Sequence, residues 1–387
     1  MTGGGIDQIL PQPGSPAIFE SHLRDARGYV ELAVVAAGAF PQPVPFRYVW
    51  GEALAAILAA DVRIVNLETS VTAGGEPWPA KGIHYRMHPK NVGCLTAARL
   101  DGCGLANNHV LDWGYGGVEE TLRTLRAAGV AVAGAGPNGA AAAAPMAIPV
   151  PDTGRVWVAV LGSPCSGVPP EWAASPDGPG INLVRTLDAS TARRVAHGLR
   201  QVSGPDDVTV VSIHRGADCG HEIPPEQIAF GHMLADEGID VIHGHSAHHA
   251  KAVEMRHGGM ILYGCGDLIN DDEGITGRDE DSGDPAVLCR VAIGPRPQRL
   301  ARVELDVFRR RRLRLERASD RDAEWLGAVL NEQSRRFTMV VGRTGGHVLT
   351  AQPRLPPLRN GRAVPPEVLV DPGRTTVRPS IRPGANP

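Results

Sequence analysis

The apolar positions of this chain fall into short runs whose spacing switches between a strand period and a helix period. Residues 29–37 (YVELAVVAA) are rich in β-branched and small apolar side chains and predict a buried strand. The Ala-rich stretch 51–60 predicts a helix, 61–67 (DVRIVNL) a strand, 89–98 a short helix, 103–106 a strand end, 116–128 a helix and 130–133 a strand. Further on, 145–150 and 155–161 read as strands and 187–202 as a helix. A very apolar strand at 208–214 (VTVVSIH), a helix at 225–237 and a strand at 239–245 (IDVIHGH) follow. AKAVEMRHGGMILYG predicts a hairpin turning at Gly258-Gly259, and 288–294, 300–307 and 311–317 predict antiparallel strands before a closing helix over 320–336. Strands that alternate with helices predict a layered α/β architecture, and two mixed sheets between helices use all of these elements.

The ends lack this periodicity. Residues 1–27 read as an N-terminal tail, 28–340 as one large domain, and 351–387, rich in Pro, Arg and Gly, as a C-terminal tail. Neither tail is expected to supply core residues.

Composition narrows the function. A formal charge of -3 over 387 residues gives no electrostatic reason to expect a nucleic acid or an anionic membrane as partner. The run Arg309-Arg310-Arg311-Arg312 lies in strand-like sequence and reads as a solvated or edge-protecting face. No signal-type segment and no apolar run of about 18 residues is present, so the expectation is a cytoplasmic protein. Six cysteines without C-x-x-C spacing read as reduced thiols.

Chemistry gathers where apolar strands end. Asn66-Leu67-Glu68 follows DVRIV, Asn107-Asn108-His109 follows CGLA, His214 follows VTVVSI, and His243, His245, His248 and His249 crowd the run 243–249. Loops beyond the carboxyl ends of strands form the ligand crevice of layered α/β folds, so these ends predict one shared site. Each has a plainer reading: Glu68 as a solvated loop acid, Asn107 and Asn108 as helix caps, His214 as a hydrogen-bonded core residue. The histidine density favours a site, because imidazole both ligates metals and moves protons near neutral pH.

The order NLE, K-x-x-x-x-R-x-x-P (Lys81, Arg86, Pro89), ANNHxxDxG, His214-x-Gly216, GHxxH and Y-G-x-G-D resembles the CapA-like proteins of the calcineurin-like metallophosphoesterase superfamily. The resemblance covers roughly residues 29–275 and implies a calcineurin-like four-layer α/β/β/α sandwich with a metal site at the strand ends. Four departures stand out. Gly38-Ala39 takes the place of the family's Gly-Asp, Gly244-His245-Ser246-Ala247-His248 that of GHHPH, Gly266-Asp267 that of Gly-Asn, and His214-Arg215-Gly216 that of His-Trp-Gly. Without that Asp and His, too few ligands remain for two transition metals held about 4 Å apart. One divalent cation is expected instead, Ca for an oxygen-rich hydrated shell, with Mg, Mn or Zn as alternatives, and no organic cofactor.

The retained His and Asp residues resemble the CapA-like type that accompanies lasso-peptide biosynthesis and epimerises the Cα of the precursor's C-terminal tryptophan. That resemblance implies a metal-dependent peptide epimerase whose substrate partner is a ribosomal precursor peptide. In this reading His109 with Asp112 and His245 with Asp267 are the acid/base pairs, while Glu68, Asn108, His214 and His248 hold or orient the cation. Lys81, Arg86, Trp113 and Tyr115, with Trp78, would meet the substrate. Asp218 is a second candidate to orient a histidine, and GHSAHH can be aligned two ways. Two alternatives stay open: a metal-dependent hydrolase of phosphoesters or a polyglutamate-type polymer, and a non-catalytic scaffold that binds the precursor.

Overall fold

The computed structural model describes residues 1–20, 23–151, 154–216, 220–275, 285–294 and 301–354. Asp218 and most of the expected C-terminal tail, 355–387, lie outside the described residues. Two sheets face one another. The smaller is parallel, with Ile64–Asn66, Gly102–Gly104 and Ala131–Ala133 in that spatial order. The larger runs Val253–Arg256, Gly259–Leu262, Val241–Ser246, Val208–Arg215, Gly154–Gly162, Met146–Val150; its four middle strands are parallel and its two outer strands antiparallel.

Glycine permits the close approach of these sheets. A Cβ on Gly104 would lie 3.2 Å from Val160 Cγ1, and one on Gly102 would lie 2.8 Å from Met146 Cε. Helix Gly114–Ala127 turns Val118, Leu122 and Leu125 into the same core as Cys103 and Val160. On the opposite side, helices Ala189–Val202 and Pro225–Asp236 set Ala196, Leu199, Phe230 and Leu234 against Leu161, Val211, Ile213 and Ile242. The result is a four-layer α/β/β/α sandwich.

Period-2 alternation explains where the histidines go. In Val208–Arg215, Val211 and Ile213 face the helices, so Val210, Ser212 and His214 face the other sheet. In Val241–Ser246, Ile242 faces the helices, and Val241, His243 and His245 share the inter-sheet face. Register places Ser212 beside His243 and His214 beside His245. The inter-sheet space is therefore apolar at its base and lined with imidazole toward the carboxyl ends.

The late strands form a sheet of their own rather than joining two mixed sheets. Ala286–Ile293, Ala301–Arg311, Val348–Pro353 and Met339–Gly345 are antiparallel, with Arg314–Arg317 pairing off Ala301–Arg311. Helix Asp320–Ser334, opened by a capping box between Ser319 and Asp322, packs Leu326 and Leu330 onto Leu305 and Leu349. Strands 339–345 and 348–353 belong to this sheet, so neither 340 nor 351 is a structural boundary.

Two more expectations are overturned. Residues 29–37 are helical, within Arg27–Ala37, and the buried positions Tyr29, Val30, Ala33 and Ala37 follow the helix period while Val35 is exposed. Gly38 caps that helix with φ of 84°, so Gly38-Ala39 ends no strand and the inferred loss of a carboxylate at Ala39 has no structural counterpart. The segment 1–27 is no detached tail: helix Gly5–Ile9 delivers Ile6, Ile9 and Leu10 to the main core with no exposure. Buried Asp7 anchors it by accepting from the Gly14 and His88 backbone and from Asn91, while Asp271 accepts from the Gly5 N–H.

Candidate active site

The loops that leave Ile64–Asn66 and Gly102–Gly104 bring the first polar groups to the rim. Asn107 is buried and builds the frame: its amide donates to Asn66 Oδ1 at 3.0 Å and to the Leu67 carbonyl at 2.9 Å, and its oxygen accepts from the His109 N–H. Asn66 in turn donates to Glu68 at 2.9 Å. Asn107 thus organises its neighbours and leaves Asn108 to face the histidines.

Asn108, Glu68 and His214 converge. Asn108 Oδ1 lies 3.0 Å and Glu68 Oε1 4.0 Å from His214 Nε2. Burial, with the charge of Asp267 adding to it, pushes the Glu68 carboxyl up to about 7. A buried carboxylate left in that state is short of positive charge. A carboxylate, an amide oxygen and an imidazole at these spacings suit neighbours in one coordination shell, and a cation would supply the missing charge. The set fits one divalent cation with open positions for water or substrate. Among the described residues no three His, Cys, Asp or Glu side chains gather as a metal cluster, and the donors here are one carboxylate, one amide oxygen and one imidazole.

One flank of this group is charged. His109 Nδ1 meets Asp112 Oδ2 at 2.8 Å, and Lys81 Nζ meets Asp112 Oδ1 at 2.8 Å. The Tyr85 N–H also donates to Asp112 at 2.7 Å, and the Tyr85 ring centroid is 4.5 Å from that of His109. Lys81 Nζ also lies 3.1 Å from His109 Nδ1; with Asp112 ionised, Nδ1–H donates to the nearer carboxylate oxygen and Nε2 keeps its lone pair. Burial lowers the His109 pKa, helped by Lys81 and opposed by Asp112, so the ring is a neutral base.

The other flank carries the opposite protonation state. His248 Nδ1 bonds Asp267 Oδ2 at 2.8 Å, and this bond raises His248 to about 9. Burial works against Asp267, but the bond and charge of His248 hold it down at about 2. Asn270 donates to the same Asp267 oxygen at 2.8 Å, and Arg310 Nη1 donates to the Asp267 carbonyl at 2.8 Å. His248 is therefore a cationic acid at neutral pH. Its turn is tight: Ser246 has φ of 99°, a conformation costing on the order of 1–3 kcal/mol for a non-glycine residue. At Gly266, φ is 65° and a Cβ would lie 3.0 Å from the Ala250 nitrogen.

This pairing corrects the expected one. Asp267 holds His248, whereas His245 lies 3.0 Å from His214 and 3.0 Å from Ser212. The turn at Ser246 decides this, because it carries residue 248 out of the sheet plane and back over Asp267. Ser246 itself donates to the Gly216 carbonyl at 3.3 Å and acts as a latch. Among the expected substrate residues, only Lys81 joins the polar cluster. Arg86 is stacked 3.7 Å over Trp113, Trp113 is buried and donates to the Tyr85 carbonyl, and Tyr115 is exposed at the edge of Trp78. Trp172, fully buried, lies at 5.5 Å from Trp78 and 5.9 Å from the Lys81 ammonium, and completes an aromatic wall on this flank.

Sequence reasoning missed Tyr85, Trp172, Ser212, Asn270 and Arg310 as neighbours of the site and left open which histidine of 243–249 faces it. For Ser212 and His243 a signal existed: S-x-H and H-x-H on adjacent parallel strands place all four side chains on one face. For Arg310 none did, because its reach to Asp267 depends on the third sheet.

Residues 1–272 match the family described as bacterial capsule synthesis protein PGA_cap. The chain belongs to this family. Within this capsule synthesis family it is 42% identical over 356 residues to a probable polyglutamine synthesis accessory protein of Mycobacterium tuberculosis, covering 91% of this chain and 94% of the relative. It is 25% identical over 273 residues to the PGA biosynthesis protein CapA of Bacillus subtilis, covering 70% of this chain and 61% of the relative. The capsule biosynthesis protein CapA of Bacillus anthracis is 28% identical over 191 residues, 49% of this chain and 45% of that one. The family's CapA-like α/β fold agrees with the four layers described above. No described helix is long and apolar enough to cross a membrane.

Proposed function

We propose that this CapA-like protein is a cation-assisted acid/base enzyme that inverts a Cα centre in a peptide bearing a free carboxylate. The observation that carries this reading is the opposite state of two carboxylate-bound histidines beside one polar cluster: neutral His109 and cationic His248. Environments that push paired titratable groups apart assign a base and an acid. His109 Nε2 takes the Cα proton, the bonding pair moves into the adjoining carbonyl, and His248 Nε2–H returns a proton to the opposite face. Asp112 and Asp267 orient the two rings and balance their charge. Glu68, Asn108 and His214 would hold a divalent cation, calcium being favoured by the oxygen donors, and bound there it supplies positive charge opposite the developing carboxylate charge. The substrate we favour is a ribosomal precursor peptide ending in tryptophan, for which Trp78 and Tyr115 offer aromatic surface backed by the buried Trp172. We place the reaction in the cytoplasm, where Cys94, Cys103, Cys165, Cys265 and Cys289 remain free thiols.

A second reading has its own support in the relative named as a polyglutamine synthesis accessory protein. The same base and acid would hydrolyse a glutamyl amide, with His109 activating water and His248 protonating the leaving amine. Incubation in D₂O with calcium chloride, using a tryptophan-ending peptide and a glutamyl oligomer, separates the readings by mass spectrometry. One deuterium at a Cα without cleavage supports epimerisation. Cleavage without Cα exchange overturns it in favour of the hydrolase. Neither reaction on either substrate, with the protein folded, leaves the non-catalytic scaffold.

A further inference from the structure

The alternation that turns His214 toward the other sheet turns its neighbour Arg215 the opposite way, onto the helix-facing side with Val211 and Ile213. The Arg215 guanidinium carbon lies 5.7 Å from the centroid of the Tyr263 ring, which belongs to that same helix-side core. Arg215 is only 1% exposed, and a guanidinium keeps its charge in a protein. Among the described residues its one hydrogen bond runs from Nη1 to the Gln227 carbonyl at 3.0 Å, while Nε and Nη2 are buried and meet no partner. Charged donors left unmet in a dry interior are strongly destabilising, so this edge calls for an acceptor.

The two unmet donors share one edge of the planar group. Nε–H and the nearer Nη2 hydrogen point the same way, at the spacing that takes two oxygens of one carboxylate or phosphate. Elsewhere in this protein the same edge is used in that manner: Arg256 gives Nε and Nη2 to the two oxygens of Asp236 at 2.7 and 3.0 Å, and Arg290 gives its own to Asp306 at 2.5 and 3.2 Å. Those side chains are 31% and 35% exposed, whereas Arg215, with far less access to water, has no acceptor on that edge among the described residues. The surroundings add positive charge. Lys251 is 4% exposed and sends Nζ to the Glu222 carbonyl at 2.9 Å, so both buried cations rest on carbonyls of the segment 222–227. Burial lowers the Lys251 pKa, the charge of Arg215 adds to that, and Glu222 opposes them. Glu222 itself is exposed, and the buried Glu254 carboxylate is bonded to the Tyr263 hydroxyl at 2.6 Å and to His232 at 2.9 Å. Gln227 is buried, and its Nε2 lies 3.2 Å from where a Cβ on Gly216 would stand, which puts a neutral donor at the same corner.

We infer that this corner, between the end of strand Val208–Arg215 and the start of helix Pro225–Asp236, binds a small oxyanion, phosphate or a carboxylate, which accepts two hydrogen bonds from the Nε–Nη2 edge of Arg215. The site is separate from the imidazole cluster, because Arg215 and His214 leave opposite faces of one strand, and it does not rest on the reaction proposed above. The anion supplies the negative charge that Arg215 and Lys251 lack and fastens the strand end from which His214 faces the other sheet. Since the edge is buried, the ion enters when the corner opens, and its binding reads out as stability of the folded chain.

The test is urea unfolding of the full chain, first refolded in Tris chloride so that no oxyanion is carried over, with sodium phosphate or sodium formate compared against sodium chloride at the same ionic strength. Phosphate or formate should stabilise the parent, the unfolding equilibrium constant falling about tenfold for each tenfold rise in the ion above its Kd, and the ion that does so names the ligand. Arg215→Met should show no such dependence and in chloride alone should be no less stable than the parent, because an apolar side chain of similar length needs no counter-ion. Arg215→Lys keeps the charge without the paired edge and should lose most of the response, a result that carries the test if the methionine variant does not fold. An equal response in the parent and Arg215→Met would be the general effect of excluded salts and would overturn the inference, as would a parent indifferent to both ions. A response that appears only in Asp218→Asn protein would give the edge to a carboxylate of this chain and overturn it as well.

Discussion

His109 and His248 each lean on a carboxylate, whereas His214, His243 and His245 lean on one another, a serine and an amide. All five lie toward one end of the same inter-sheet space, yet they carry different charge. Without a carboxylate in hydrogen-bond contact, burial empties the second proton from an imidazole; with one, the outcome depends on what else is close. Burial lowers His109 most, and Lys81, which shares Asp112 with it, offsets part of the carboxylate's pull, so His109 stays neutral. Asp267 bonds His248 Nδ1 directly, with Asn270 donating to the same oxygen, and His248 becomes cationic. A site that needs both a base and an acid can therefore build them from one residue type by changing the neighbours.

The hardest blow to this contrast falls on the Asp112 side. His109→Ala should slow Cα proton exchange by roughly 10²–10⁴-fold, the usual worth of a positioned base, measured as deuterium uptake. Asp112→Asn should do comparable harm and also destabilise the fold by about 3–5 kcal/mol in denaturant melts, because it leaves the buried Lys81 charge without its partner. If Asp112→Asn instead proved as stable as the parent, the charged flank would not be a buried ion pair in solution.

A smaller effect sharpens the acid side. His248 sits at about 9 when folded against an ordinary 6.5, so its stabilising contribution is complete below 6.5 and is lost as pH rises through about 9. Asp267 works the other way: held at about 2 against 3.8, it contributes above 3.8 and loses that contribution as pH falls through about 2. Between neutral pH and 9 the protein should lose roughly 1–3 kcal/mol from this pair, discounted because the His248 side chain is 27% exposed. Asp267→Asn should flatten that alkaline limb, and an unchanged limb would show that His248 is not cationic.

The smallest effect serves as the control. Arg200 meets Glu237 at 3.1 Å on the surface, with the arginine half exposed. Arg200→Ala should change stability by no more than about 0.5 kcal/mol in the same melts, since water and salt screen such a pair. A large loss there would mean that burial does not separate this pair from Lys81 and Asp112.

Much of this site was legible before any coordinates. Strands ending in Asn66, in Gly104 before Asn107, and in His214 and His245 were visible as apolar runs stopped by polar residues. The helix at 27–37 was not, because Val, Tyr and Ala suit either element and only its burial on Tyr29, Val30, Ala33 and Ala37 reveals the period. The N-terminal segment hid its role for a similar reason. Its polar Asp7 is buried but fully paired with backbone and Asn91, so composition alone made a core segment resemble a tail.

The sequence by itself determined which chemical groups end up at the rim, since period-2 alternation commits Ser212, His214, His243 and His245 to one face wherever their strands pair. Only the tertiary structure decided who meets whom. Asp267 chose His248 over His245 because the Ser246 turn moves one imidazole out of the sheet and leaves the other in it. It also decided who is charged, because an imidazole's proton depends on distances of a few ångströms to groups that lie far apart in the chain, from Lys81 to Arg310.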